Sequence, residues 1–338
     1  MLPQIETITQ SLQKMGLIKN PEDAAFNPLS GGVSSDIWRV DTPSGAICVK
    51  QARRQLRVDA KWLAPVERNS IEATWMRTTG ALMPGTVPRV ISEDRAASLF
   101  AMTYFDPGTY PTWISRLMSG DVDIDFAAEI GTQLARMHAA SADSPILAAD
   151  FGHDDLFRAL RIDPYLITTS ERHRDIAARL RELAQTTLET RRTLIHGDVS
   201  PKNILVGPAG PVFLDAECAV YGDPAFDIAF CLNHLLLKCM ARRDSIHSLL
   251  ESYRCLAESY MSGISWEPKD ALETRAGHLI PALLLARVDG KSPVTYLNEA
   301  DKATTRQFAR LNLIAPPKNL KQLANKWRNA IADGTSSL

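Results

Sequence analysis

Three oxygen-bearing side chains in two short motifs, Asp198, Asn203 and Asp215, have the types and spacing to do chemistry. The first motif is HGDVSPKN at 196–203 and the second is FLDAE at 213–217. A carboxylate at Asp198 can take the proton of an attacking hydroxyl. Asn203 offers a neutral oxygen to a divalent cation, and Asp215 offers a charged one. Mg2+ prefers such hard oxygens and keeps phosphate oxygens and waters as its other ligands. One base beside two metal donors is the division of labour that phosphoryl transfer requires. Apolar runs at 204–206 and 212–214, separated by Gly207-Pro208-Ala209-Gly210, predict a hairpin that returns Asp215 towards Asn203.

A second polar segment lies far upstream. Ser30-Gly31-Gly32-Val33-Ser34-Ser35 can bring backbone N–H groups close to phosphate oxygens, because glycine permits tight turning and close approach. An ordinary hairpin turn has the same composition. Neither G-x-G-x-x-G nor the Walker pattern is present. Asp223 followed by Pro224 has the form of a helix N-cap with proline in the first turn.

Together, HGDVSPKN and FLDAE resemble the motifs of the aminoglycoside phosphotransferase and choline kinase family of small-molecule kinases, whose fold is like that of protein kinases. The protein-kinase catalytic loop has the same five-residue step from Asp to Asn. The resemblance implies that Asp198 is the catalytic base and that Asn203 and Asp215 bind Mg2+. Ala216 and Glu217 depart from the kinase D-F-G pattern, which argues against a protein kinase. It further implies that Lys50 meets the α- and β-phosphates of ATP, held by a glutamate on the following helix. Glu72 is the choice for that glutamate and Glu67 the alternate. Gly31, Gly32 and Ser34 would cover the phosphates. Tyr104 and Phe105 would mark the hinge where adenine meets backbone groups. Asp227, in YGDPAFDIAF at 221–230, would support the catalytic loop.

Other polar residues have plainer readings. His138 lies on an apolar helical stretch and suits packing. His196 suits ordering of its loop. Lys202 suits either a phosphate contact or local support. Ser200 lacks the surroundings of a nucleophile. ARVDGKSPVTYL at 286–297 also resembles a segment of some family members, and its Arg287, Asp289 and Lys291 fit a substrate contact or a surface turn. Acceptors in the family include aminoglycosides, choline, ethanolamine, homoserine and methylthioribose. Glu217, Asp223 and Asp289 are candidates to receive an amine, whereas Lys202, Arg275 and Arg287 suit an anionic or sugar-like acceptor.

These groups need elements to position them. Residues 4–15 predict a helix, and 26–50 a glycine-rich mouth followed by a hairpin. A helix is expected at 66–82. Strands follow at 87–91 and 98–103, with a turn at Ser92-Glu93-Asp94. Pro107, Gly108 and Pro111 then break the pattern. Helices are expected at 125–140, 171–190, 224–240, 244–262, 270–286 (with a kink or restart at Pro281) and 316–332. The expectation is an α+β, bilobal protein-kinase-like fold: a small antiparallel-sheet nucleotide-binding lobe at 1–103 and a larger, mainly helical catalytic and substrate-binding lobe at 104–338, with ATP between them.

The bulk numbers agree. A chain of 338 residues with 45% hydrophobic content supports two lobes. Its 38 basic and 39 acidic residues argue against a general nucleic-acid binder. No long apolar run predicts a membrane span, 279–285 being too short, and the N-terminus lacks a secretory pattern. The five cysteines, with no C-x-x-C pair, suit free thiols in a reducing, cytoplasmic setting. The expected partner is a small-molecule hydroxyl acceptor, with no oligomeric state implied. A catalytically inactive nucleotide- or ligand-binding module is the alternative, opposed by the presence of Lys50, Asp198, Asn203 and Asp215 together.

Overall fold

In the computed structural model, which describes residues 3–29, 34–55 and 65–335, the chain divides into two units. One comprises Met1–Tyr110 with Val212–Cys218, and the other Pro111–Pro211 with Ala219–Leu338. The first is built on an antiparallel sheet and the second is mainly helical, which is the α+β class expected.

The first unit begins with helix α1 (Pro3–Lys14) and continues through β1 (Ala25–Pro28), β2 (Ser35–Thr42), β3 (Gly45–Ala52), α2 (Arg68–Leu82), β4 (Val90–Asp94) and β5 (Leu99–Thr103). The strand order is β1-β2-β3-β5-β4. A tight turn joins β2 to β3, with Thr42 paired to Gly45 and Gly45 at φ +114°, a conformation that favours glycine.

The pleat sorts the side chains of this sheet. Trp38, Val40, Val49, Leu99 and Ala101 pack with Ile8 and Leu12 of α1 and with Ile18. Successive strand residues point to opposite faces, so Cys48 and Lys50 take the other face, paired with Met102 and Phe100. On α2, Arg68, Glu72, Trp75 and Thr79 recur at helical spacing and are all buried.

Two expectations change here. Ser92, Glu93 and Asp94 are not a turn but the end of β4, and the reversal falls at Arg95–Ala97 with Ser98 at φ +49°. Both acids are paired in place: Glu93 accepts from Arg77 at 2.9 Å, and Asp94 from Ser11 at 3.0 Å and Lys14 at 2.7 Å. β1 also adds an edge strand where a loop was expected, and it carries its proline where an edge tolerates one.

The second unit contains α3 (Trp113–Ser119), α4 (Ile124–Ser141), the short α5 (Pro145–Asp150) and α6 (Asp154–Phe157), a π-helical stretch at Arg158–Ile167, α7 (Thr168–Arg172) and α8 (Ala177–Glu189). Short strands follow as β6 (Thr193–Ile195), β7 (Ile204–Gly207), β8 (Gly210–Phe213) and β9 (Val220–Gly222). The chain ends in α9 (Pro224–Ala241), α10 (Ile246–Ser262), α11 (Lys269–Asp289), α12 (Glu299–Ile314) and α13 (Leu320–Thr335). β6 pairs antiparallel with β9, and β7 with β8 in the expected hairpin.

The periodic stretch at 171–190 is interrupted at His173, whose ring turns to Asp289 at 2.8 Å. α11 runs through Pro281 as one helix rather than restarting there. α12 was not expected, although Asn298 caps it by accepting from Asp301 N at 2.8 Å. Among the described residues, the helix with the length and composition of a membrane span is α9, not 279–285, and 94% of it is buried in the protein, as in a core helix.

α4 and α10 cross where Gly131 meets the backbone of α10. A Cβ at Gly131 would fall 2.3 Å from the Leu256 carbonyl oxygen. Gly131→Ala therefore forces two backbones apart. Overpacking of this kind costs about 1–3 kcal/mol, against a helix-propensity gain of up to about 1 kcal/mol. A lowered thermal unfolding midpoint is expected, and an unchanged or raised one would contradict this close approach.

Candidate active site

In the first unit, pleat and helix periodicity bring a lysine and a glutamate together. Lys50, on the α2 face of β3, donates to Glu72 at 2.6 Å. Glu67 is exposed at the start of the helix, so Glu72 is the residue that pairs with Lys50. Lys50 also donates to Asp215, which lies just past β8 at φ +66°, a conformation that aspartate tolerates better than most residues. The two carboxylates differ in access. The side chain of Glu72 is 1% exposed and that of Asp215 28%, so one is a sealed anchor and the other is open to a ligand.

Burial alone would depress the Lys50 amine, but Asp215 and Glu72 outweigh it and hold the amine protonated above its usual range. Burial pushes Glu72 up to about 7, against the opposing pull of Lys50. Next to this pair, Arg68 Nε donates to Glu217 at 3.0 Å, and its guanidinium also reaches the carbonyl oxygens of Pro65, Ser34 and Arg53. It thus ties the buried Ser34 to the end of β3. Gly31 and Gly32 lie outside the described residues. Tyr104 and Phe105 follow β5, both half-buried. Tyr104 lies beneath Arg39 at 5.0 Å and Phe105 packs on Tyr110 at 4.6 Å.

In the second unit, β6 delivers the chain into the 196–203 loop, and α9 holds that loop by its backbone. Asp227, fully buried, accepts from His196 N at 2.7 Å and Gly197 N at 2.8 Å. The loop turns at Gly197, φ +77°. His138 bridges Tyr260 at 2.8 Å and Asp227 at 3.3 Å. Since a carboxylate only accepts, His138 Nε2 carries the proton and Nδ1 accepts from the tyrosine. His196 Nδ1 accepts from Asp198 N at 3.1 Å, which locks the loop from within.

The Asp198 carboxylate meets three donors at Oδ2: Asn203 Nδ2 at 2.8 Å, Arg161 at 2.8 Å and Lys202 at 3.3 Å. Asn203 Nδ2 also donates to the Asp198 carbonyl at 3.0 Å. Both bonds use the amide nitrogen and leave Asn203 Oδ1 as a hard oxygen donor, which fits Mg2+. Among the described residues, no three His, Cys, Asp or Glu side chains form a metal cluster.

Arg161 is the residue that sequence reasoning missed here. It is buried, comes from the π-helical stretch and also binds the Gly197 carbonyl at 2.8 Å. The acidic residues considered for an amine are already committed. Glu217 pairs with Arg68, Asp223 caps α9 and pairs with Arg275, and Asp289 binds Arg306 and His173.

Residues 25–258 match the model of the Phosphotransferase enzyme family. The chain belongs to this family. A curated relative, methylthioribose kinase 1 of Oryza sativa subsp. japonica, is 27% identical over 60% of this chain and 53% of its own length. The chain therefore spans about half of that protein. The methylthioribose kinase of Bacillus cereus is 23% identical, with 95% of this chain and 92% of that one covered. Among solved structures, amicoumacin kinase hAmiN in complex with AMP-PNP, Ca2+ and Ami aligns with TM-score 0.58 at 14% identity, covering 96% of this chain and 100% of that chain. A choline/ethanolamine kinase family protein from Mesorhizobium loti aligns with TM-score 0.54 at 15% identity, covering 95% and 99%. At these identities the likeness establishes the protein-kinase-like fold.

The Asp227 contacts make a stability prediction for this family member. In Asp227→Asn one acceptor oxygen becomes a donor facing backbone N–H groups. Hydrogen bonds to a charged group are worth about 1.5–3 kcal/mol, and a loss of that size is expected in urea unfolding. An unchanged midpoint would mean that the loop does not depend on this carboxylate.

Proposed function

We propose that the protein is an ATP- and Mg2+-dependent kinase that moves the γ-phosphate to a hydroxyl of a small, sugar-like molecule. The observation that carries this reading is the Asp198 carboxylate, fixed by Arg161 and Asn203 on a loop pinned by Asp227. A base held this way can orient an acceptor hydroxyl and take its proton.

The other roles follow from the chemistry of each residue. Lys50, anchored by the sealed Glu72, neutralises charge on the α- and β-phosphates. Gly31, Gly32 and Ser34 cover the phosphates, and Tyr104 and Phe105 flank the adenine. Asn203 and Asp215 would be the oxygen donors for Mg2+, which when bound would offset phosphate charge. No covalent enzyme intermediate is needed, because alignment and electrostatic stabilisation account for this class of transfer.

The acceptor assignment rests on the committed acids. With Glu217, Asp223 and Asp289 each bound to an arginine, the groups considered for an amine are occupied, which disfavours aminoglycosides and amino alcohols relative to sugar-like molecules. The methylthioribose kinases among the relatives support the same choice.

The test is a screen of hydroxyl acceptors with ATP and Mg2+, read by mass detection of the phosphorylated product. Asp198→Asn should lower kcat about 10²–10⁴-fold, the range for loss of a general base, and keep ATP affinity within a few-fold. Full turnover in that variant would remove Asp198 from its role. Asp215→Ala should weaken nucleotide binding in the presence of Mg2+ but not in its absence, as followed by calorimetry. An unaltered Mg2+ dependence would exclude Asp215 as a metal donor.

A further inference from the structure

The last two turns of α9 carry His234 and Lys238, four residues apart and so on one face of the helix. Both are buried, with Lys238 0% exposed. Among the described residues the Lys238 ammonium has no hydrogen-bond partner. Its neighbour is the face of Tyr296, 3.7 Å from Nζ to the ring centroid. The hydroxyl of Tyr296 and Nε of Arg287 are also buried without a partner among the described residues. Arg287, at the end of α11, is held in place by the Ser292 carbonyl and hydroxyl and by the Tyr165 hydroxyl at 3.3 Å.

The charges here have one sign. Burial, followed by the nearby Arg287, pushes the Lys238 amine down to about 7, and no carboxylate acts on it. Burial also pushes His234 well below its usual range, reinforced by Arg287, Lys238, Lys202 and Arg161. The last two are the cations that hold Asp198. The cluster and the proposed base share a scaffold: on the π-helical stretch Tyr165 holds Arg287, and Arg161, four residues earlier, holds Asp198.

A lysine placed only to offset the C-terminal dipole of α9 would gain nothing from burial. A tyrosine face attracts the ammonium, but it cannot accept from three N–H bonds or balance a second cation. The Lys238 ammonium, Arg287 Nε and the Tyr296 hydroxyl, all without acceptors among the described residues, call for a single acceptor-rich anion.

We propose that Lys238, Arg287, Tyr296 and His234 bind the anionic group, a carboxylate or a phosphate, of the acceptor whose hydroxyl is presented to Asp198. This rests on the kinase reading above and narrows its substrate class to sugar-like or hydroxy acids and their phosphorylated counterparts.

The test measures binding without ATP, so that it fails separately from the kinase assignment, which is judged by ATP binding and turnover. The full chain is titrated by calorimetry with inorganic phosphate and with hydroxy acids, sugar acids and sugar phosphates of three to seven carbons, each beside its neutral alcohol. At least one anion is expected to bind tenfold or more tightly than its neutral counterpart. Lys238→Met and Arg287→Gln should each weaken that anion tenfold or more and leave ATP affinity within twofold. Lys238→Met should also melt no lower than the wild type without ligand, because it removes a buried amine with no hydrogen-bond partner among the described residues. Equal binding of anions and neutral alcohols, full anion affinity in both variants, or no binding of any anion would each overturn the proposal. Binding of inorganic phosphate alone would overturn it in favour of a free-anion site. A clear drop in the melting point of Lys238→Met would overturn it in favour of a structural lysine.

Discussion

The buried carboxylate of Asp227 is the constraint on which the second unit's chemistry depends. It sits at 0% exposure in the first turn of α9 and takes two consecutive backbone N–H groups of the 196–203 loop. A carboxylate in such a place must have its lone pairs filled. His138 supplies a further donor and is itself fixed by Tyr260. The loop is therefore set by helix packing as well as by its own His196 and Asn203. Asp223 begins the same helix by capping it, so one N-terminus orders both the strand exit from β9 and the loop from β6.

The first unit solves a related problem with side chains of opposite charge. Arg68 and Glu72 occupy the buried face of α2, where apolar residues would be expected. Each is paired, with Glu217 and Lys50 respectively. Paired buried charges are not an efficient source of stability compared with apolar residues of the same volume. Their placement makes sense if the lysine must stay charged and rigid. Glu72 is sealed, so it can hold the ammonium without being displaced, and only Asp215 is exposed enough to exchange partners.

Those relations were unevenly legible in the sequence. HGDVSPKN and FLDAE could be read because their groups are close along the chain and chemically specific. Asp223 could be read because a cap is a local device. Arg161 could not: it reaches Asp198 from a different segment, through a π-helical stretch with no motif of its own. Arg68 and Lys238 were hidden for another reason, since long cationic side chains are ordinarily solvated and only the fold reveals that these are not. The same logic explains β4. Ser92, Glu93 and Asp94 have turn-like polarity, but Arg77, Ser11 and Lys14 satisfy the two acids inside a strand. α12 had a usable signal in Asn298, with Glu299 and Asp301 in its first turn, but its buried face mixes Asp301, Thr305 and Asn312 with Phe308 and Leu313, which dilutes the apolar pattern.

Charge, rather than shape, then separates the acceptor classes. A cationic acceptor needs an acid that is free to meet it, and Asp223 and Asp289 in the second unit are both held by arginines. Freeing Asp289 would leave Arg306 without its ion pair, and freeing Asp223 would leave Arg275 with Glu267 alone, so an amine would have to replace an existing ion pair rather than complete a vacant one. The opposite charge has the opposite problem. Lys238 is buried beside a second cation and, among the described residues, has no anion to meet. On the proposed reading, an acceptor that brings a negative group would supply the acceptors that these groups lack among the described residues. An acceptor that brings a positive group would add to the cationic charge, because Lys202 and Arg161 stand at Asp198 as well. Discrimination of this kind works through repulsion of the wrong partner as much as attraction of the right one.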